Sequence, residues 1–505
     1  MDLLGGLAQG FAVALGPSAL LHCMIGVVIG TAIGVLPGLG PTATISLLLP
    51  ITYRLDPVSS VIMLSGIYYG AMYGSSITAI LVRIPGEAAS IVTCIDGYEM
   101  ARRGRAGPAL GISAFGSFIA GIVATIGIAL FGPMLSGVAI RFGPAEYTAL
   151  VALGLILVTH VSGGSVTRSL VMVGLGLLAS TVGLDPIIGS ERFTMGALFL
   201  QDGLDIAIMA MGLFGVAEVL AMAERSLKPS ELLAQPRRTR DLLPTRADWR
   251  ASAAPIGRGS LLGFALGLLP GGGALIASFA SYVMEKRLSR TPERFGTGAI
   301  EGVAGPESAN NAAAQASFVP LLSLGIPSNV VMGVLMGALM IHGITPGPML
   351  LQSQPALFWG VIVSMFVGNM MLIVLNVPLL PVFVALLRIP QRILSPLILV
   401  FCVVGAYSLN NSTTDIVTMG VFGVLGWLMR KARLDPAPFL LAFVLGGLFE
   451  RSFRQSLLIG GGSPMIFLQK PISAALLAAA ALLLVLPLVR WGVRRLRPAP
   501  TGKAS

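Results

Sequence analysis

The chain has 505 residues, of which 55% are hydrophobic and only 11% charged, and it carries a formal charge of +11. Soluble chains are about 25% charged, so composition excludes a water-soluble protein of this length. From Ser308 to Leu387 there are 80 consecutive residues without Asp, Glu, Lys or Arg, enough for several membrane helices of roughly 20 residues each. The fold class is therefore an all-α polytopic membrane protein; a β-barrel would show alternating ten-residue segments, which are missing. Arg outnumbers Lys 28 to 5, which reads as positive-inside loops, and no basic, aromatic-laced stretch suggests nucleic-acid binding. The three cysteines and three histidines are scattered singly, without metal-ligand or disulfide spacing.

In chain order, apolar runs predict spans near Ser18–Leu36, Val58–Val82, Leu110–Leu135, Ala145–His160, Ser169–Leu184 and Ile206–Ala223. They resume near Leu261–Val283, Ala312–Ile326, Val330–Leu350, Ala356–Leu387, Leu394–Leu409, Ile416–Met429, Phe439–Phe449 and Ile472–Val489. Some are too short to span, so about 10–12 crossings with broken or re-entrant pieces are expected. The organisation reads as a first membrane repeat over 1–223, a basic cytoplasmic loop over 224–258, and a second repeat with a basic tail over 259–505. The first 53 residues hold no Lys or Arg, so a signal-peptide charge is missing and the N-terminus is placed outside.

The repeat is visible in the sequence. Gly30, Gly34, Pro37, Gly38 and Gly40 follow a GxxxGxxPGxG pattern, and Gly263, Gly267, Pro270, Gly271 and Gly273 repeat it 233 residues later. A fainter echo sets Arg83-Ile84-Pro85-Gly86-Glu87 beside Gly325-Ile326-Pro327-Ser328-Asn329. With the N-terminus outside and the central loop inside, the two halves enter from opposite sides and are inverted, as in many secondary transporters.

The motifs allow two readings. The GxxxG pairs suit close helix packing. The Pro-Gly-x-Gly segments break a helix, and the helix restarting beyond presents N–H groups and a positive dipole end. On that reading Pro37, Gly38, Gly40, Thr42, Thr44, Pro270, Gly271, Gly272, Gly273, Ser328 and Asn329 form a substrate cradle for a carboxylate. Ser46, Ser278 and Ser281 would extend it.

Glu307-Ser308-Ala309-Asn310-Asn311 is either a helix cap or a ligating cluster. Ser75, Ser76, Asn310 and Asn311 are the candidates for substrate or cation. Tyr68 and Tyr69 read as an interface anchor, and Arg83 as a snorkelling cation or a partner of Glu87. Asp96–Arg105 reads as a mixed-charge surface segment, Glu146, Glu218 and Glu450 as interfacial, and Asp415 as part of a capped loop. No GxSxG, HExxH or Walker A sequence is present, so uphill transport would draw on an ion gradient or a partner.

Taken together, the stretches Gly34–Pro41, Tyr69–Ser76, Ile84–Glu87, Asp96–Tyr98, Gly267–Gly273, Glu307–Asn311, Leu324–Pro327, Gly347–Pro348 and Glu450–Ser473 resemble the large membrane subunit (TctA type) of tripartite tricarboxylate transporters. The resemblance runs through nearly the whole chain, least in the central loop. It implies a permease in the bacterial inner membrane that works with a small four-helix membrane subunit (TctB type) and a periplasmic solute-binding protein (TctC type). It implies a carboxylate substrate such as citrate, a coupling cation (sodium or proton), and no cofactor. Ala274 stands where the first motif has Pro41, so the halves need not bind alike. The alternative of a different class is a membrane enzyme acting on a lipid or lipid-linked substrate, with Glu307 or Asp415 as acid or base.

Overall fold

The computed structural model describes residues 3–36, 39–161, 165–224, 239–271, 273–387, 389 and 391–496. Its first half begins with α1 (Leu3–Ala14), α2 (Pro17–Val35), α3 (Pro41–Thr52), α4 (Pro57–Val82) and, past a 3-10 turn at Ala88–Ser90, α5 (Thr93–Met100). Then come α6 (Ala106–Ala139), α7 (Pro144–Val161) and α8 (Val166–Ala179). A hairpin of β1 (Gly183–Leu184) and β2 (Glu191–Arg192) is antiparallel, with Gly183 opposite Arg192. α9 (Ile206–Ala210) and α10 (Ala217–Glu224) are joined by a π-helical stretch.

The second half comprises α11 (Arg246–Gly267), α12 (Gly273–Leu288), α13 (Glu301–Ala316), α14 (Phe318–Leu324), α15 (Val330–Ile341), α16 (Leu350–Ser353), α17 (Pro355–Asn376) and α18 (Leu380–Leu386). It closes with α19 (Gln391–Asn410), α20 (Thr413–Lys431), α21 (Pro436–Ile459), α22 (Ile466–Gln469) and α23 (Pro471–Leu496).

Local chemistry sets these boundaries. Proline opens α2, α3, α4, α17 and α21, where its missing N–H is no loss. Asp56 caps α4 through the Ser59 amide at 2.9 Å, and a Thr245–Asp248 capping box starts α11. That box explains one departure from the sequence reading. Helix begins at Arg246, so the latter part of the expected loop is helical, while residues 225–238 lie outside the described residues. The run expected over Ala356–Leu387 is divided between α17 and α18, and α1 precedes the first expected span. Among the described residues, five helical runs are long and apolar enough to cross a membrane: Pro17–Val35, Thr93–Ala139, Ile206–Glu224, Pro355–Asn376 and Ile393–Asn410. Others are shortened by the breaks, as α3 and α15 are, or carry charge, as α21 does.

The repeat is a packing unit. A Cβ added at Gly30 would stand 2.7 Å from the Cα of Ile67, and one at Gly34 would stand 2.9 Å from that of Ala71. In the other half a Cβ at Gly263 would stand 2.8 Å from the Cα of Ala309, and one at Gly267 would stand 2.7 Å from that of Ala313. Contacts advance together along both chains, so α2 runs parallel to α4 and α11 parallel to α13. Only glycine permits such approach. The GxxxG glycines are therefore packing residues in both halves.

Between the halves the order reverses. On α4, Tyr68 meets Phe318 with ring centroids 6.4 Å apart, whereas Ser76 meets Glu307. The α2–α4 pair thus runs antiparallel to the α11–α13 pair, which is the inverted arrangement. α6 runs with α13, since Ser117 meets Asn311 and Thr125 meets Gln315.

Ion pairs gather at the two ends of the bundle. Where α6 and α11 begin, Arg105 pairs with Asp248; farther along α11, Arg258 pairs at 2.5 Å with Glu285 in the last turn of α12. Glu218 pairs with Arg430. At the other end, reached by α6 and regained through the α7–α8 hairpin, Arg192 and Arg454 clamp Asp185 and Glu450. The Asp185 carboxyl accepts from Arg454 and from the Ile187 and Ile188 amides, and these bonds, Arg454's foremost, hold it well below the usual carboxylate range.

Candidate functional site

The second break of each half ends its helix in the same way. Arg83 follows α4 at φ 58° and Gly325 follows α14 at φ 70°, both left-handed, 242 residues apart. A Cβ at Gly86 would collide with the Gly34 carbonyl and stand 2.9 Å from the Cα of Ser75, so this segment lies flat on the α2–α4 pair. In the other half Gly271, at φ 79°, donates its amide to the Ser328 carbonyl at 2.7 Å. Each half therefore ties its first break to its second.

The breaks also meet across the halves. Asn329 caps α15 by accepting from the Met332 amide at 3.0 Å, and its Nδ2 donates to the Tyr68 hydroxyl at 3.2 Å. Ser278 on α12 donates to the Ala89 carbonyl at 2.8 Å. Glu87 reaches the N-terminus of α3, where a Cβ on Gly40 would stand 3.1 Å from its Oε2. A carboxylate of the chain itself thus sits at the positive end of that helix.

Beside this junction lies a polar core. Glu307, with no solvent exposure, accepts the Ser76 hydroxyl on Oε2 at 2.5 Å and the Thr93 hydroxyl on Oε1. Asn311 donates to Ser117 at 2.7 Å, to Asn310 Oδ1 at 2.7 Å and to the Glu307 carbonyl at 3.0 Å. One turn on, Thr125 donates to Gln315 at 2.9 Å. Donors from α4, α5 and α6 thus converge on one face of α13, joining the two halves.

Pro37, Gly38 and Gly272 lie outside the described residues. Gly40 is the N-cap of α3, and the Thr44 and Ser46 hydroxyls donate back to the Gly40 and Thr42 carbonyls, so they are turned along the helix. Gly271 spends its amide on Ser328, and Gly273 opens α12 at φ 43°. Ser75 donates to the Met72 carbonyl, whereas Ser76 reaches Glu307. Ser328 donates to the Ser317 carbonyl at 3.3 Å.

Four readings are corrected. Asn310 and Asn311 are mid-helix and buried rather than capping. Tyr68 and Tyr69 are fully enclosed, not interfacial. Arg83 lies over the Tyr98 ring, 5.5 Å from its centroid, and makes no ion pair with Glu87. Asp96 is buried, its Oδ1 accepting the amides of Gly296, Gly298 and Ala299 at 2.7–2.9 Å. Sequence reasoning passed over Thr93, Ser117 and Gln315, whose only signal was polarity inside apolar runs.

The fold and this core define a polytopic α-helical membrane protein of inverted repeats with a buried polar junction. The chain belongs to the tripartite tricarboxylate transporter TctA family, whose profile matches residues 20–441, and is a membrane transporter component. It is 51% identical over 494 residues to the "uncharacterized 52.8 kDa protein in TAR-I ttuC' 3'region" of Agrobacterium vitis, covering 97% of this chain and 98% of that one. It is 52% identical over 227 residues to the "uncharacterized protein in TAR-II ttuC' 3'region" of the same organism, covering 45% of this chain and 94% of that one. No solved structure matches.

Proposed function

We propose that this chain is the permease subunit of a binding-protein-dependent secondary transporter in the bacterial inner membrane, importing small carboxylates by symport with sodium or protons. Its partners on this reading are a small membrane subunit and a periplasmic solute-binding protein. The substrate is citrate or a related organic acid. The observation that carries the reading is the junction of inverted breaks, where Glu87 and Glu307 stand without an ion pair among the described residues. A carboxylate substrate entering beside two carboxylates needs cations to come with it. Gly40, Thr42, Ser328 and Asn329 remain the proposed substrate contacts, because Gly40 and Asn329 are N-caps at the junction.

The test is uptake of labelled citrate and tartrate into proteoliposomes holding both membrane subunits, with binding protein and an imposed sodium or proton gradient. Concentrative uptake that needs the gradient and the binding protein is expected. Uptake indifferent to both, or none of any organic acid tried, overturns the reading.

A further inference from the structure

We propose that Glu307, Ser76, Tyr73, Ser113 and Asn376 form the seat of the coupling cation, and that this cation is an alkali ion of sodium's size. The inference rests on the gradient-coupled reading above and gives it a site.

Glu307 is enclosed at mid-helix among Ser76 of α4, Thr93 of α5 and Ser117 of α6. No Lys, Arg or His pairs with it among the described residues. A carboxylate buried without a counter-charge is costly even when hydrogen-bonded, so a cation that neutralises it gains that cost back as binding energy.

A cavity of about 30 Å³, lined among others by Tyr73, Ser76, Ser113 and Asn376, lies against Ser76, whose hydroxyl donates to the Glu307 carboxyl. That volume holds one water molecule or one dehydrated alkali ion. The Tyr73 hydroxyl and Asn376 Oδ1 are buried without a hydrogen-bond partner, and Tyr73 and Asn376 are 4% and 6% exposed. Asn376 has its Nδ2 committed to the Leu372 carbonyl at 2.9 Å, which orients its amide. These are hard oxygen donors in want of a partner, the ligand type that alkali ions take.

The charge count selects the ion. One carboxylate with neutral oxygens leaves a monovalent ion uncharged overall, while a divalent ion would leave a net positive charge inside the membrane. A proton would satisfy Glu307 alone and leave the Tyr73 and Asn376 oxygens idle. Among the described residues, the titratable groups facing Glu307 are Tyr73 from α4 and Cys94 from α5, with Arg83 beyond Cys94. The ligands come from α4 and α6 of the first half and α13 and α17 of the second, so filling the seat draws the inverted halves together.

The test is sodium-dependent thermal stabilisation of the purified complex of both membrane subunits, with choline chloride holding ionic strength constant, together with binding of radioactive sodium. The wild type should be stabilised saturably by sodium and more weakly by potassium. Glu307→Gln should abolish both responses. Ser76→Ala and Tyr73→Phe should each raise the half-saturating sodium concentration about 5- to 30-fold. A folded Glu307→Gln complex that keeps the wild-type response overturns the proposal. Should Glu307→Gln fail to fold, unchanged half-saturation in both milder variants overturns it as well. Stabilisation that depends on Glu307 and on pH, but not on sodium, also overturns it, in favour of a proton. An intact sodium response in a complex that transports no organic acid supports the seat and counts against the proposed substrate alone.

Discussion

Replacing Gly30 or Gly263 with alanine tests whether the two motifs act as matching packing units. The added Cβ would stand 2.7 Å from the Ile67 Cα in one case and 2.8 Å from the Ala309 Cα in the other. Carbon pairs prefer about 3.5–4.0 Å, so α2 and α4, or α11 and α13, must part by about 1 Å. Overpacking of this kind costs about 1–3 kcal/mol, against a helix-propensity gain of about 1 kcal/mol on losing a glycine. The net expectation is a loss of up to about 2 kcal/mol, alike in the two halves. Gly257→Ala and Gly420→Ala are the controls, since a Cβ at either meets nothing within 4 Å; they should be neutral or stabilising. Thermal unfolding of the detergent-solubilised protein, with membrane-inserted amount measured in parallel, reads the difference. If Gly30→Ala and Gly263→Ala unfold no earlier than the controls, the packing argument is refuted.

Asp96→Ala should cost about 2–4 kcal/mol, because the amides of Gly296, Gly298 and the buried Ala299 lose their acceptor; Asp96→Asn, which keeps an oxygen, should cost less, and unfolding midpoints separate the two. The hairpin held by Asp185 has a defined pH response. Its carboxyl is depressed in the folded chain from an ordinary value of 3.8, so the stabilisation is complete above about pH 4–5 and fades only as pH falls toward the folded value. Hydrogen exchange across residues 183–201 should be steady from pH 8 to about pH 5 once corrected for intrinsic rates, and loosening near pH 6 would contradict the assignment. For topology, Met195, just past the hairpin, is 96% exposed, and the three native cysteines are buried. Met195→Cys should react with an impermeant maleimide in intact cells, and Ser289→Cys, just past α12 at the opposite end, only after lysis; the reverse pattern would invert the proposed orientation.

Much of this molecule is written locally. Helix starts follow from proline and Asp or Thr caps, and the membrane class follows from charge-free runs, because backbone sterics and desolvation act over a few residues. The inverted repeat was legible for a related reason: glycines at a spacing of four are needed wherever two helices touch backbone to backbone, so the same contact left the same pattern at Gly30 and Gly263. What a polar side chain does inside the membrane is not written locally. Asn310 and Asn311 suit a cap as well as a core, and Thr93, Ser117 and Gln315 are unremarkable until folding brings them against α13. Tyr68 reads as an anchor at an interface until Asn329, 261 residues away, closes on its hydroxyl. An all-α membrane chain of two glycine-stitched halves can be read from the order of residues alone, since those properties depend on composition and short spacing. That Glu307 is the centre of the polar junction emerges with folding, because the cost of burying a carboxylate depends on which distant donors surround it.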